Sequence, residues 1–245
     1  MVASLAAQAP ATAPAPPAKA STDPALPPAR EILDRHVKAI GGREAVMSHK
    51  SAHATGTFSV PSSGLVGTVE MFGAANPDRM LMRVTIPGLG EMSQGYDGSH
   101  GWAVSPQTGP MLQVGKELDQ TKLDADFYGE LRDPKKYTSL KTIEKSVFDG
   151  RPCYKVSLVR IDGNEDFEFY DVETGLRAGS IATRETPMGN VTTTTVEADY
   201  KKFGNILQAT TLVQKMIGVE QKLTLTGFEY DNVAPTVFEL PAPIK

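Results

Sequence analysis

The 245-residue chain contains one cysteine, Cys153, and one tryptophan, Trp102. A lone cysteine cannot form an internal disulfide, and it excludes a cysteine-rich zinc site. No apolar run approaches the roughly 18 residues that a transmembrane helix needs. The net charge of −4 indicates no basic surface for nucleic acid or for an anionic membrane. The composition is therefore that of a globular protein, and we expect Cys153 to be a small buried side chain.

The sequence signatures of common enzymes are also missing. The chain has no Gly-x-Ser-x-Gly, no His-Glu-x-x-His and no phosphate-binding Gly-Lys-Ser/Thr loop. His49 and His53 lie four residues apart, but on a strand this spacing is too wide for easy shared ligation, and no third ligand is indicated. Asp124 and Asp126 do not share a helical face, so we interpret them as surface charges. We predict no catalytic residue, no metal site and no cofactor.

Residues 1–28 are rich in alanine and proline and contain few side chains that could be buried. The Ala7-Gln8-Ala9 pattern resembles the end of a secretory signal peptide, although a basic start and a long apolar core are missing. Two interpretations stay open, a truncated export signal and a flexible cytosolic tail, and we favour the first. We predict a single folded domain over residues 29–245.

Helical periodicity is confined to two regions. Between residues 29 and 40 an apolar face recurs at helical spacing, and Gly41-Gly42 ends the pattern. A short helical turn is expected over residues 43–49. A central helix is predicted over residues 117–131, ended by Asp133-Pro134.

Strand patterns occupy most of the remaining chain. Asp97-Gly98, Asp149-Gly150 and Asp162-Gly163 are tight-turn signals between strands. About eleven strands in hairpin spacing predict a mainly β (α+β) fold, a curved antiparallel sheet with helices covering its concave side. In the strand 79–86, Arg79 and Arg83 indicate a wet face, so Met80, Met82, Val84 and Ile86 are expected to point inward.

Nine methionines are present, and five of them lie around the hairpins between residues 65 and 112. Methionine is flexible and polarizable, so it can line a cavity that accepts variable apolar chains, although ordinary core packing would explain the same pattern. We predict a ligand site formed by methionines and apolar neighbours: Met71, Met80, Met82, Val84, Met92, Trp102, Met111 and Phe127.

Several stretches together resemble the bacterial LolA/LolB-like superfamily of periplasmic lipoprotein carriers. Each stretch is a turn or strand signature, and the likeness lies in their order and spacing between residues 29 and 241. The matching stretches are Ile32-Leu33-Asp34-Arg35-His36, Ala39-Ile40-Gly41-Gly42, Ser51 to Gly56, Asn76-Pro77-Asp78-Arg79, Gly95-Tyr96-Asp97-Gly98, Gly101-Trp102, Gly150-Arg151-Pro152-Cys153-Tyr154, Tyr170-Asp171-Val172-Glu173-Thr174-Gly175-Leu176 and Asp199-Tyr200 before Asn205.

This resemblance implies an incomplete antiparallel β-barrel whose open side is covered by helices around an apolar cavity. It implies a non-catalytic periplasmic carrier of lipoprotein acyl chains or another lipophilic ligand, and we expect a monomer. The family's anchored receptors carry a lipidated N-terminal cysteine, which has no counterpart near the start of this sequence. The resemblance therefore favours the soluble carriers. The alternatives are an envelope interaction or sensor module that binds a protein partner without lipid, and a hydrolase with dispersed catalytic residues.

Overall fold

The structure, a computed structural model, describes residues 25–186 and 189–244. Most of the predicted leader therefore lies outside the described residues. Within them, thirteen antiparallel strands form one sheet and two more form a separate hairpin. The strand bounds are β1 Ser51–Val60, β2 Leu65–Ala74, β3 Arg79–Ile86, β4 Gly90–Tyr96, β5 Gly101–Ser105, β6 Gly109–Leu112, β7 Tyr137–Phe148, β8 Arg151–Arg160, β9 Glu165–Asp171, β10 Arg177–Thr186, β11 Gly189–Ala198, β12 Lys201–Phe203, β13 Ile206–Gln208, β14 Thr211–Met216 and β15 Val219–Tyr230.

The large sheet is curved and not closed, and its spatial order is β6-β5-β4-β3-β2-β1-β15-β14-β11-β10-β9-β8-β7. Strands β1 to β6 make up its first half, and the strands from β7 onward make up its second half. The two halves meet where β1 pairs with β15. The mainly β, antiparallel prediction is confirmed, but the expected strand number is wrong.

The extra strands have local causes. The strand pattern of residues 191–203 is continuous in the sequence, but Asp199 adopts a φ of +54°. This turn separates β11 from β12. The strand pattern of residues 206–216 is likewise divided into β13 and β14, because Thr210 leaves the ladder and its hydroxyl donates to the carbonyl of Asp199. The edge strand β6 contains Pro110 and has no clear apolar alternation, so the sequence pattern did not predict it.

Three α-helices accompany the sheet: α1 Ala29–Ala39, α2 Arg43–Ser48 and α3 Gly115–Asp124. The two N-terminal helices are confirmed. The central helix is shorter than predicted, because the chain leaves the helix after Asp124 and continues as single 3₁₀ turns at Gly129–Leu131 and Pro134–Lys136. Further 3₁₀ turns are Pro61–Ser63, Pro235–Phe238 and Ala242–Ile244.

Helix α1 covers part of one face of the second half, which we call the inner face. Its buried Ile32 and Leu33 pack against Val156, Leu158 and Tyr170 of β8 and β9. On the same face, a second buried cluster of apolar side chains spans β1 to β3 of the first half and the adjoining β15: Ala54, Phe58, Val69, Val84, Ile86, Leu223 and Leu225.

The outer face of the first half is covered by the C-terminal segment 233–244. Phe238 is 1% exposed and packs with Leu81 of β3 and Trp102 of β5. The guanidinium of Arg79 lies 5.0 Å from the centroid of the Phe238 ring. The expectation of a wet face on β3 is therefore wrong at Leu81, which a segment distant in sequence removes from water, whereas Arg83 is half-exposed and Thr85 is exposed.

Trp102 has its own requirement for a small neighbour. A Cβ atom placed on Gly95 would lie 2.3 Å from Cζ2 of the Trp102 ring. Glycine on β4 therefore lets the indole lie directly against the neighbouring backbone, where only 1% of the Trp102 surface stays exposed.

We expect the substitution Phe238→Ala to destabilise the protein by about 3–5 kcal/mol, because it leaves a cavity between the C-terminal segment and the sheet. Urea unfolding followed by tryptophan fluorescence measures this change, since Trp102 belongs to the same cluster. The control is Ile217→Ala in the β14–β15 turn, where the side chain is 92% exposed. A cost for Phe238→Ala no larger than the control would contradict the packing described.

Candidate functional site

A cavity of about 630 Å³ opens on the inner face of the sheet. Strands of both halves line it, together with α2 and the segment 123–137 that connects α3 to β7. This volume lies in the ordinary range for small-molecule sites in proteins. The two halves of the sheet give the cavity two chemically different walls.

The first half supplies an apolar wall. Met71 of β2 and Met82 of β3 are directly opposite in the strand register, and Met80 lies beside Gly73. The ring of Phe127 covers Gly73, with Cδ2 3.2 Å from the position that a Cβ atom would occupy there. The apolar lining continues across the junction of the two halves, through Ala54 of β1 to Leu225 and Phe228 of β15 and Leu212 of β14.

The second half supplies a charged wall. The guanidinium of Arg132 makes two hydrogen bonds to the carboxylate of Glu168, which also accepts from the Tyr170 hydroxyl. Arg177 donates to both oxygens of Glu130, at 3.0 and 2.8 Å, and its Nε donates to Glu197 at 2.7 Å.

Three further ion pairs continue this wall towards the end of α3. Arg184 makes a bidentate contact with Asp166, and Nη1 of Arg160 lies 2.8 Å from Oδ1 of Asp124. Lys136 Nζ lies 2.8 Å from Oδ2 of Asp126. The interpretation of Asp126 as a surface charge is wrong, because its side chain is 13% exposed and forms part of the wall. Asp124 is half exposed but also paired.

Burial and neighbouring charges shift the pKa values of Glu168 and Tyr170 in this wall. Burial raises the pKa of Glu168, but the charges of Arg132 and Arg177 and the hydrogen bond from Arg132 outweigh it and hold that pKa below its usual value. Burial and the Glu168 charge raise the pKa of Tyr170 well above its usual value, so the phenol stays a donor. In this part of the wall Glu168 is therefore a charged acceptor and Tyr170 a neutral donor.

The predicted ligand residues do not all meet in this cavity. Met71, Met80, Met82 and Phe127 line it. Val84 and Met92 pack in the adjacent inner-face cluster. Trp102 belongs to the outer-face cluster, and Met111 on edge strand β6 is 53% exposed. Ligand binding by any of these residues stays a prediction, and the geometry restricts it to the first four.

Helix α3 spans the open side of the curved sheet. It contacts β5 in the first half and β10 in the second. Lys116 at its start lies 2.6 Å from Glu185 of β10, and Leu123 near its end lines the cavity. Only Thr121 of the helix is buried. Helix α3 therefore covers the cavity with few buried contacts of its own.

His49 closes the cavity rim beside α2. Its Nδ1 lies 2.7 Å from Oδ2 of Asp231, its Nε2 lies 2.8 Å from Oδ1 of Asn205, and its ring stacks on Tyr230. Burial lowers the pKa of His49, but the hydrogen bonds to Asp231 and Asn205 and the Asp231 charge outweigh it, so the pKa is raised. His53 does not line the cavity, and its ring stacks on Phe72.

Metal ligands and membrane-spanning helices were both considered above from the sequence. Among residues 25–186 and 189–244, no group of three or more His, Cys, Asp and Glu side chains could hold a metal ion. In the same ranges, no helix combines the length and apolar character needed to cross a membrane. Cys153 is buried, as expected for a small core side chain.

The open antiparallel sheet, the helices on its inner face and the cavity between them define a LolA/LolB-like fold. A DUF1329 family protein from Desulfovibrio piger is similar, with a TM-score of 0.58 and 13% identity over 87% of this chain and 98% of that protein. A LolA superfamily protein from Nitrosomonas europaea is similar with a TM-score of 0.56 and 11% identity, over 88% of this chain and 99% of that protein. A putative outer membrane lipoprotein-sorting protein domain from Vibrio parahaemolyticus is similar with a TM-score of 0.53 and 10% identity, over 84% of this chain and 93% of that domain.

At these identities the likeness concerns the fold alone. No protein-family model matches the sequence, and no curated protein matches it significantly. The sequence did not predict the charged wall, because its members come from four separate stretches of the chain and form no motif: Glu130 with Arg132, Glu168, Arg177 and Glu197.

The raised pKa of His49 makes a pH-dependent contribution to stability. Protonated His49 stabilises the fold below its unfolded pKa, and this contribution is lost as the pH rises through the higher folded pKa. We expect His49→Gln to lower the melting temperature more at about pH 6 than at about pH 8.5. Asp231→Asn, which removes the charge that raises the pKa, should reduce the same pH dependence. A melting difference that is constant with pH would contradict this assignment.

Proposed function

We propose that the protein is a non-catalytic carrier or binder of a lipophilic ligand, with an acyl chain lying against the apolar wall. The observation that supports this most is the cavity itself, which three methionines and Phe127 line, with Met71 and Met82 at the border of the inner-face cluster. Methionine side chains change shape at low cost, so such a wall accommodates chains of different length and unsaturation. The LolA/LolB-like fold supports the same proposal at the level of architecture.

Binding by this cavity is driven by burial of apolar surface. At about 25 cal/mol per Å² removed from water, one sheathed acyl chain gains several kcal/mol without any covalent step. Entry and release require part of the covering structure to move. Helix α3 is the element proposed to move, because it crosses the open side and buries only Thr121.

The substitution Met82→Trp should block the cavity while sparing the fold. An indole at this position fills space that the ligand would occupy, so the affinity for the uncharged fluorescent probe N-phenylnaphthylamine should fall by about tenfold or more. The matched control is Met111→Trp, because Met111 lies on the exposed edge strand away from the cavity. Probe titrations and melting curves of the three proteins measure both effects.

Two outcomes would contradict the carrier proposal. The first is a wild-type protein that binds no apolar probe. The second is a Met82→Trp variant that unfolds while Met111→Trp does not, since that result indicates a filled core around Met82. Either result would favour the alternative function, an envelope interaction module that binds a protein partner without lipid.

The proposed location is the periplasm, which agrees with the export-like Ala7-Gln8-Ala9 pattern and with the carrier proposal. We expect fractionation of the native cells to recover the protein with periplasmic markers after osmotic shock. Recovery with cytosolic enzymes instead would contradict both the location and a role in envelope lipid transport.

A further inference from the structure

Two hydroxyl groups in the cavity wall are free. Tyr137 at the start of β7 and Ser180 of β10 both line the cavity, and neither hydroxyl makes a hydrogen bond within the described part of the chain. Neither is among the buried unpartnered atoms, so both remain accessible. They flank one group, because Ser180 is the register partner of Glu168 and the Glu168 charge acts on Tyr137.

The cations of the same wall are not free. Within the described residues, Arg132, Lys136, Arg160, Arg177 and Arg184 each have a carboxylate partner, at 2.8 Å for Lys136 and Arg160. Nη2 of Arg160 lacks a partner, but it is buried and not offered to the cavity. Arg79 of β3 also borders the cavity, but its guanidinium lies over the ring of Phe238 on the outer face, 5.0 Å from the ring centroid.

A charged lipid headgroup would therefore enter this wall without a counter-ion. Burying an unpaired carboxylate or phosphate costs far more than burying an uncharged carbonyl, which needs only a hydrogen-bond donor. A hydroxyl of tyrosine or serine provides such a donor. Tyr137 remains a neutral phenol, because burial, the largest influence, raises its pKa.

We infer that the cavity selects lipids whose polar end is an uncharged carbonyl, an ester or an amide, held by the hydroxyls of Tyr137 and Ser180. This inference rests on the proposed function and specifies its ligand. The acyl chain lies against Met71 and Met82, and the carbonyl oxygen accepts hydrogen bonds beside Glu168. Free fatty acids and phosphate-headed lipids are disfavoured.

The test is displacement of bound N-phenylnaphthylamine by four ligands with similar chains: methyl oleate, oleamide, oleate and octadecene. We expect methyl oleate and oleamide to displace the probe at about tenfold lower concentration than ionised oleate. In the double variant Tyr137→Phe/Ser180→Ala, this advantage should fall by about tenfold, the scale of one to two lost hydrogen bonds. Displacement by octadecene, which has no carbonyl, should not change.

Matched control variants distinguish the effect of removing a hydroxyl from the effect of unfolding the protein. Tyr154→Phe removes a tyrosine hydroxyl that does not line the cavity, and it should leave all four ligands unchanged. If the double variant unfolds, each single variant should still show part of the loss for the two carbonyl ligands. The stronger competitor of methyl oleate and oleamide shows whether the carbonyl of the preferred lipid belongs to an ester or to an amide.

The inference is overturned, with the carrier proposal intact, if the probe binds but oleate competes as well as methyl oleate. It is also overturned if the hydroxyl variants bind the carbonyl ligands as the wild type does. A wild-type protein that binds no probe overturns both proposals together.

Discussion

The pairing of β1 with β15 is the constraint on which the rest of the structure depends. It joins the strands that come first and last in the chain, which lie in the middle of the sheet. The apolar wall of the first half is thereby placed beside the charged wall of the second half. The register shifts at Gly56, where a Cβ atom would lie 2.2 Å from the carbonyl oxygen of Thr224. Glycine lets the two backbones approach at this bulge, and the local bend increases the curvature that creates the cavity.

Burying the charged wall costs desolvation free energy, so its charges must remain paired. Removing one partner of a buried pair such as Arg132–Glu168 costs about 3–5 kcal/mol, although a well-packed apolar replacement of the whole pair is often neutral. The pairs therefore act less as a source of stability than as fixed, closed polar contacts. They join the 3₁₀ turn Gly129–Leu131 and the following Arg132 to β9 and β10, and so they fix the charged wall on the second half of the sheet.

Local patterns predicted the local structure, and long-range packing decided what they could not. Helix α1 followed from its apolar face, and the hairpin at Asp97-Gly98 followed from its turn residues, with Gly98 at a φ of +103°. Alternation in β3 identified Met82 as inward but could not show that Leu81 is buried as well. That burial is caused by Phe238, which lies more than half the chain away in sequence. The methionines and Phe127 of the cavity were predicted, whereas the ion pairs that form its other wall leave no sequence motif.

The distribution of strong and weak contacts around the cavity fits a site that must open. The sheet that forms its floor is held by continuous strand pairing, and the charged wall by buried ion pairs. Helix α3 on the open side has one buried side chain, and its link from Lys116 to Glu185 is solvent-exposed and screened by salt. Regions with few buried contacts open at lower free energy than the core. The cover can therefore move while both walls keep the geometry that would select a ligand.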